Sequence, residues 1–179
     1  VPAALFMSMA KIHIKNYASL GLPLDEVAFR VNNQLCYKNE EGMFVTAFIC
    51  VLNIETNEMQ FVNAGHNPPF LMKQGEMFAM MKPKANLVLG MMEDIPYTIQ
   101  HMELSKGDVI YLYTDGMTEA LNTEDELYGE ERLEDALNRY SDCIDGTDTF
   151  LKCLYEDVNA FAEGVSQADD ITMLCVSRR

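Results

Sequence analysis

Tryptophan is absent from these 179 residues and positive charge is scarce: 13 lysines and arginines stand against 28 aspartates and glutamates, a formal charge of −15. A surface of that sign repels phosphate backbones and anionic headgroups, which excludes nucleic acid as a partner unless a cation intervenes. Long apolar runs are missing as well. The longest, 43–52, is about half of what a membrane-spanning helix needs, and no basic segment precedes an apolar stretch that could act as a signal peptide, so a soluble, cytoplasmic chain is expected. Paired metal-binding cysteines are also lacking. Cys36, Cys50, Cys143, Cys153 and Cys175 are odd in number and never spaced as a zinc pair, and their apolar contexts read as reduced core residues. No repeat or low-complexity segment occurs.

What is present is an ordinary globular composition, 49% hydrophobic, long enough for one well-buried domain over 1–179. The thirteen methionines read mainly as fillers of core gaps. The chain is organised around 106–120. Val109-Ile110-Tyr111-Leu112-Tyr113 is apolar at every position, which suits a central strand covered on both faces. Thr114-Asp115-Gly116 then ends it abruptly, delivering Asp115 at the rim of a rigid strand. A carboxylate there can bind a hard cation, or Asp-Gly can simply turn the chain.

Around this strand the pattern predicts helices first, strands in the middle, and helices again before one closing strand. Leu5, Met9 and Ile12 recur at helical spacing in a first helix that runs to about Ser19, and Leu24, Val27, Val31 and Leu35 mark a second opened by Pro23. Strands are expected over 44–54 and 59–63 as a hairpin, over 70–73 and 77–81 as a second, and then over 87–90, 97–104 and 108–114. Helices follow over 118–122, 130–140 and 148–162, and a final strand over 171–176. This order argues for an α+β fold in which two packed antiparallel β-sheets are flanked by helices, because continuous apolar strands such as 44–52 need cover on both sides.

Gln167-Ala168-Asp169-Asp170 immediately precedes the closing strand, whereas Asp115 immediately follows the organising one. If the two strands are antiparallel neighbours, Asp115 and Asp169 converge at one rim. Converging carboxylates repel unless a cation sits between them, which points to Mg²⁺ or Mn²⁺ with bound water; the competing reading makes Asp169 and Asp170 turn residues of an acidic protein.

Three stretches together, 44–47 through Asn63-Ala64-Gly65-His66-Asn67-Pro68-Pro69, then 113–120, then Ala168-Asp169-Asp170-Ile171-Thr172, resemble the bacterial stage II sporulation protein E-type branch of the PPM metal-dependent serine/threonine phosphatases. The resemblance implies an α-β-β-α sandwich, two Mg²⁺ or Mn²⁺ ions, and hydrolysis of a phosphoserine or phosphothreonine by metal-activated water. It makes Asp115 and Asp169 metal ligands, with Gly116 shaping the turn. By sequence position Asp170 adjoins Asp169, and Glu119 lies near the rim, either beside the metals or favouring a helix N-terminus; His66 and Asn67 lie in a loop, on the substrate side or ordering it. The implied substrate is a phosphorylated regulatory protein such as an anti-sigma-factor antagonist, and upstream sensor or receiver domains commonly accompany the family. Val1-Pro2-Ala3-Ala4-Leu5 looks like the helix start that follows the family's Asp-x-x-Gly-His-Gly motif, so the stretch reads as an N-terminally truncated domain without the first metal-binding motifs. Truncation would leave sheet edges and apolar surface uncovered, so a homodimer is expected. The alternative function is a catalytically incomplete module that binds a phosphoprotein or its own copy.

Overall fold

The structure, a computed structural model, describes residues 2–167 and 169–178. Val1 and Ala168, which belong to two of the motifs above, lie outside the described residues. The elements are α1 (Pro2–Ala18), α2 (Leu24–Cys36), β1 (Ala47–Leu52), β2 (Glu58–Ala64), β3 (Phe70–Met72), β4 (Phe78–Met80), β5 (Gln100–Glu103), β6 (Val109–Tyr113), α3 (Gly129–Arg139), α4 (Thr147–Phe161) and β7 (Met173–Ser177). A 3₁₀ turn at Ser141–Cys143 joins α3 to α4. They form two antiparallel sheets, ordered β1-β2-β5 and β4-β3-β6-β7. The chain divides into two compact units, Val1–His66 with Pro83–Glu103, and Asn67–Lys82 with Leu104–Arg179. No helix of the described residues is long and apolar enough to cross a membrane.

In the first unit α2 lays Leu24, Val27, Val31 and Leu35 onto Val62 and Ala64 of β2 and Ile49 of β1. Each such side chain contributes about 1.5–3 kcal/mol by leaving water. The face of α1 differs from the sequence expectation. Phe6 (6% exposed) and Ala10 (2%) enter the core, whereas Leu5, Met9 and Ile12 are 62%, 46% and 56% exposed. Apolar residues occur on more than one side of α1, so periodicity alone does not choose the buried stripe, and the larger ring of Phe6 takes it against Gly90.

The expected strand over 44–54 begins only at Ala47, and 87–90 contributes a single bridge in which Val45 and Leu89 exchange two 2.9 Å hydrogen bonds. β1 is an edge strand with Cys50 and Val51 exposed, so it is not covered on both faces as its composition suggested. All five cysteines are free and none is buried. Met7, Met9, Met77, Met91 and Met92 are likewise exposed, while Met59 and Met117 are buried, so methionine here fills less core than expected.

In the second unit β6 is the central strand, between β3 and β7. Val109, Tyr111 and Tyr113 join Leu133 and Leu137 of α3 and Phe150, Leu154 and Val158 of α4 in one cluster, and Ile110 on the opposite face is also buried. Asn138 of α3 pins the sheet edge by accepting Phe78 N–H at 2.7 Å and donating to Phe78 O at 3.1 Å. The helix expected over 118–122 does not form. Asn122 instead accepts the N–H groups of Glu124 and Glu126, both at 2.9 Å, and Leu121 bridges to Leu127; a side-chain amide that satisfies nearby backbone donors competes with a helix.

Asp108 anchors the start of β6. Its buried carboxylate accepts Lys73 Nζ at 2.7 Å, Gln74 N–H at 3.0 Å and Ser105 N–H at 2.9 Å. Burial alone would raise this carboxyl; the Lys73 ammonium and the two backbone donors outweigh it and hold it below the usual carboxylate range. A group depressed in the folded state stabilises at pH above its unfolded value and loses that contribution as pH falls through its folded value. Asp108→Asn should therefore cost about 1–3 kcal/mol in urea unfolding at pH 7, and the difference from the parent protein should shrink below about pH 4.

Candidate metal centre

The last pair of the β6–β7 ladder is Tyr113↔Met173. Beyond it the strands stay zipped through Thr114, whose N–H donates to Thr172 O at 3.1 Å. Its hydroxyl accepts Thr172 N–H at 3.0 Å and donates to Asp170 O at 3.1 Å. The segments that carry Asp115 and Asp169 are thus drawn together by backbone and hydroxyl bonds that do not depend on any cation. Thr114 and Thr172 are the residues that sequence reasoning passed over. The signal was their position immediately inside the two aspartate motifs.

Gly116 shows how closely the segments meet. A Cβ at this position would stand 2.5 Å from Asp170 O, closer than a side-chain carbon approaches a backbone oxygen, and a tight 3.2 Å from Asp169 O. Gly116 is buried between two exposed aspartates, Asp115 on one side of the rim and Asp169 on the other. Asp115 Oδ1 accepts Gly116 N–H at 3.0 Å, and Asp169 Oδ1 accepts Asp170 N–H at 2.7 Å. Each carboxylate is oriented by the N–H of its own successor. The turn after Asp115 is closed by Glu119 N–H and Thr118 Oγ1 donating to Asp115 O at 2.8 and 3.3 Å, while Gln167 Nε2 donates to Asp169 O.

Of the expected site residues, Asp115, Gly116, Asp169 and Asp170 are brought together. Asp170 contributes its carbonyl to Thr114, and Glu119 contributes its backbone N–H to the turn while its side chain is exposed. His66 and Asn67 fall in different units. His66 belongs to a turn clamped by Asn63, whose amide accepts His66 N–H at 2.8 Å and donates to His66 O at 2.9 Å, with the ring 3.4 Å from Thr46 Oγ1. Gly65 in that turn has φ +70°, a conformation that favours glycine.

Among the described residues no group of three or more histidine, cysteine, aspartate or glutamate side chains gathers to hold a metal. A pair of exposed carboxylates is nonetheless a hard-oxygen donor set of the kind magnesium and manganese take with several retained waters. The missing Cβ of Gly116 is the place taken by the Asp170 backbone, which lets the two aspartate segments meet while both carboxylates stay exposed, and in residue type the pair suits such a cation. Gly116→Ala should push the Asp170 carbonyl away from Thr114, lowering stability by about 1–3 kcal/mol in thermal unfolding and weakening manganese binding in calorimetry.

The stage II sporulation protein E (SpoIIE) family model matches residues 1–179. The chain is 26% identical over 179 residues to the phosphoserine phosphatase RsbU of Bacillus subtilis, covering all of this chain and 52% of that protein. It is 30% identical over 137 residues to the protein IcfG of Synechocystis, covering 76% of this chain and 21% of that one. The chain therefore spans about half the length of RsbU and about a fifth of IcfG. In structure it resembles the SiaA-PP2C domain of Pseudomonas aeruginosa at a TM-score of 0.84 and 18% identity, covering 100% of this chain and 71% of that one; this likeness shows the fold.

Proposed function

The chain belongs to the SpoIIE family, and from that premise we propose that residues 1–179 act as one metal-dependent serine/threonine phosphatase domain. The observation that carries the reading is the zipped rim, where Thr114 and Gly116 hold the segments of Asp115 and Asp169 together within a chain that matches the family along its whole length. Asp115 and Asp169 would hold Mg²⁺ or Mn²⁺. Such a cation, when bound, lowers the pKa of the water it carries and neutralises phosphoryl oxygens.

The chain's own residues do the positioning. The N–H groups of Gly116 and Asp170 orient the two carboxylates, and Thr114 fixes the distance between their backbones. A protein with a formal charge of −15 repels a phosphoester on approach, so charge neutralisation at the rim is the condition for binding one. The substrate class proposed is a phosphoserine or phosphothreonine on a cytoplasmic regulatory protein such as an anti-sigma-factor antagonist, with a sensor or receiver domain controlling the full-length protein. The likeness to a phosphoserine phosphatase supports the phosphoserine choice. Manganese-dependent hydrolysis of p-nitrophenyl phosphate and of a phosphoserine protein should fall at least about a hundredfold in Asp115→Asn, which keeps shape and removes charge. Metal-independent hydrolysis unaffected by this change would refute the assignment.

The exposed stripe of Leu5, Met9 and Ile12 on α1 supports pairing of two chains, since an apolar stripe of this kind is ordinarily covered. Light scattering should give a mass that rises with protein concentration towards twice the monomer, and a constant monomer mass would exclude the dimer.

A further inference from the structure

Next to the two aspartate segments the second unit holds a small cavity of about 200 Å³. Its floor is core: Val158 of α4 and Ala120 are 1% and 7% exposed, and both belong to the cluster of Tyr113 and Leu133. Leu121, Ala162, Val165 and Ile171 complete an apolar wall, with the exposed side chains of Asn159 and Gln167 at the lip. Two parts of this wall continue the segments that carry the aspartates. Ala120 and Leu121 come directly after Glu119, whose N–H closes the turn of Asp115, and Ile171 comes directly after Asp170. Gln167 Nε2 donates to Asp169 O, so one lip of the cavity is bonded to the segment of a candidate metal ligand.

The walls are held by bonds of their own. Ala162 N–H donates to Val158 O and Val165 N–H to Ala162 O, both at 2.9 Å, which turns the chain back at the end of α4. On the other side Ala120 O accepts Tyr128 N–H at 2.8 Å and Leu121 bridges to Leu127. The two sides meet where a Cβ on Gly164 would stand 3.8 Å from Thr123 Cγ2. Preformed apolar walls with a few polar groups at the mouth are the make-up of a recognition pocket. An apolar cavity of about 150 Å³ holds one benzene ring, so this one has room for a single side chain and not for a nucleotide or an organic cofactor. Glu163 lines it and Asp169 and Asp170 adjoin it in sequence, all three exposed, so an acidic side chain is repelled.

We propose that this cavity takes an aliphatic side chain, leucine or one of similar size, that lies within two residues of the phosphoserine in the protein substrate. The inference rests on the reading of the rim as the phosphoester site and adds what the rim alone cannot supply. A cation held by Asp115 and Asp169 grips the phosphate, which every phosphoprotein carries, so discrimination between substrates comes from groups beside it. An extended peptide advances about 3.3–3.6 Å per residue. A residue one or two places from the phosphoserine therefore reaches from the rim into a cavity whose lip is bonded to the Asp169 segment. Asn159 at that lip offers an amide donor and an acceptor to the peptide backbone. The preferred substrate has an aliphatic neighbour and no acidic one beside its phosphoserine.

The test measures binding of short glycine-alanine peptides to the full chain in the presence of manganese. Each peptide carries a central phosphoserine analogue whose ester oxygen is replaced by CH₂, so that it is not turned over. Leucine, alanine or glutamate is placed in turn at the two nearest positions on either side. At one of these positions leucine should bind about tenfold tighter than alanine, and glutamate more weakly than alanine. A diazirine analogue of leucine at that position, activated by light, should attach to 120–121, to 158–167 or to Ile171 in mass spectrometry of the digest. Ala162→Leu, which fills the cavity, should bring the leucine-to-alanine ratio to about one. Equal binding of the three peptides at every position overturns the proposal, as does attachment outside those stretches, and the attachment on the unsubstituted protein does not depend on whether Ala162→Leu folds. Hydrolysis of p-nitrophenyl phosphate separates the two readings: hydrolysis without any peptide preference overturns the role of the cavity and leaves the phosphatase standing, whereas neither hydrolysis nor peptide binding removes both.

Discussion

Antiparallel pairing of β6 with β7 is the constraint on which the site depends. Only because the two strands run in opposite directions does the exit of one lie beside the entry of the other, which places Asp115 and Asp169 at one rim although they are far apart in the sequence. The pairing is held from both ends. Asp108 and Lys73 secure the entry of β6, where Gly107 N–H also donates to Arg178 O at 2.7 Å, and Thr114 secures its exit. Between these ends the strand is buried by tyrosines and β-branched residues, so its position is set by the core of α3 and α4 and not by Asp115 or Asp169.

That separation of tasks explains why the aspartates can be exposed. A rim stabilised by packing tolerates two like charges in water, where their repulsion is screened, and leaves their oxygens accessible to a cation. The one strict demand is for the absence of a side chain at Gly116, since the backbone of Asp170 occupies the place a Cβ would need. The turn at Asn63 obeys a similar rule: Gly65 accepts the left-handed backbone and the asparagine amide ties both polar groups of His66.

Strongly patterned elements were legible in the sequence. α2 shows its core through Leu24, Val27, Val31 and Leu35, and β6 shows its central position through an unbroken apolar run, because burial on one stripe or on both faces leaves a period that neighbouring segments cannot imitate. The convergence of Asp115 and Asp169 followed from strand direction alone. What the sequence hid was decided by tertiary competition. In α1 two apolar faces were available, and the pocket beside Gly90 selected the one with Phe6. In 118–122 helix-compatible residues lost to the side-chain bonds of Asn122. The exposed Cys50 reflects the edge position of β1, a property of strand order that local composition does not carry. The zipper of Thr114 and Thr172 was equally hidden, since a threonine beside a motif reads as ordinary strand until its partner is known.

The division of the chain into two interleaved units has a consequence for its biogenesis. The first unit is complete only when Glu103 has been synthesised, after the β3–β4 hairpin has already emerged, and that hairpin belongs to the second unit. β3 must then wait for β6 to emerge before its free edge is paired, and β6 waits for β7, more than fifty residues further along the chain. Such long-range pairing slows folding and prolongs exposure of unpaired edges on the ribosome. The rim that carries Asp115 and Asp169 therefore forms only once β7 has followed β6 out of the ribosome, and until then the free edge of β6 stays unpaired.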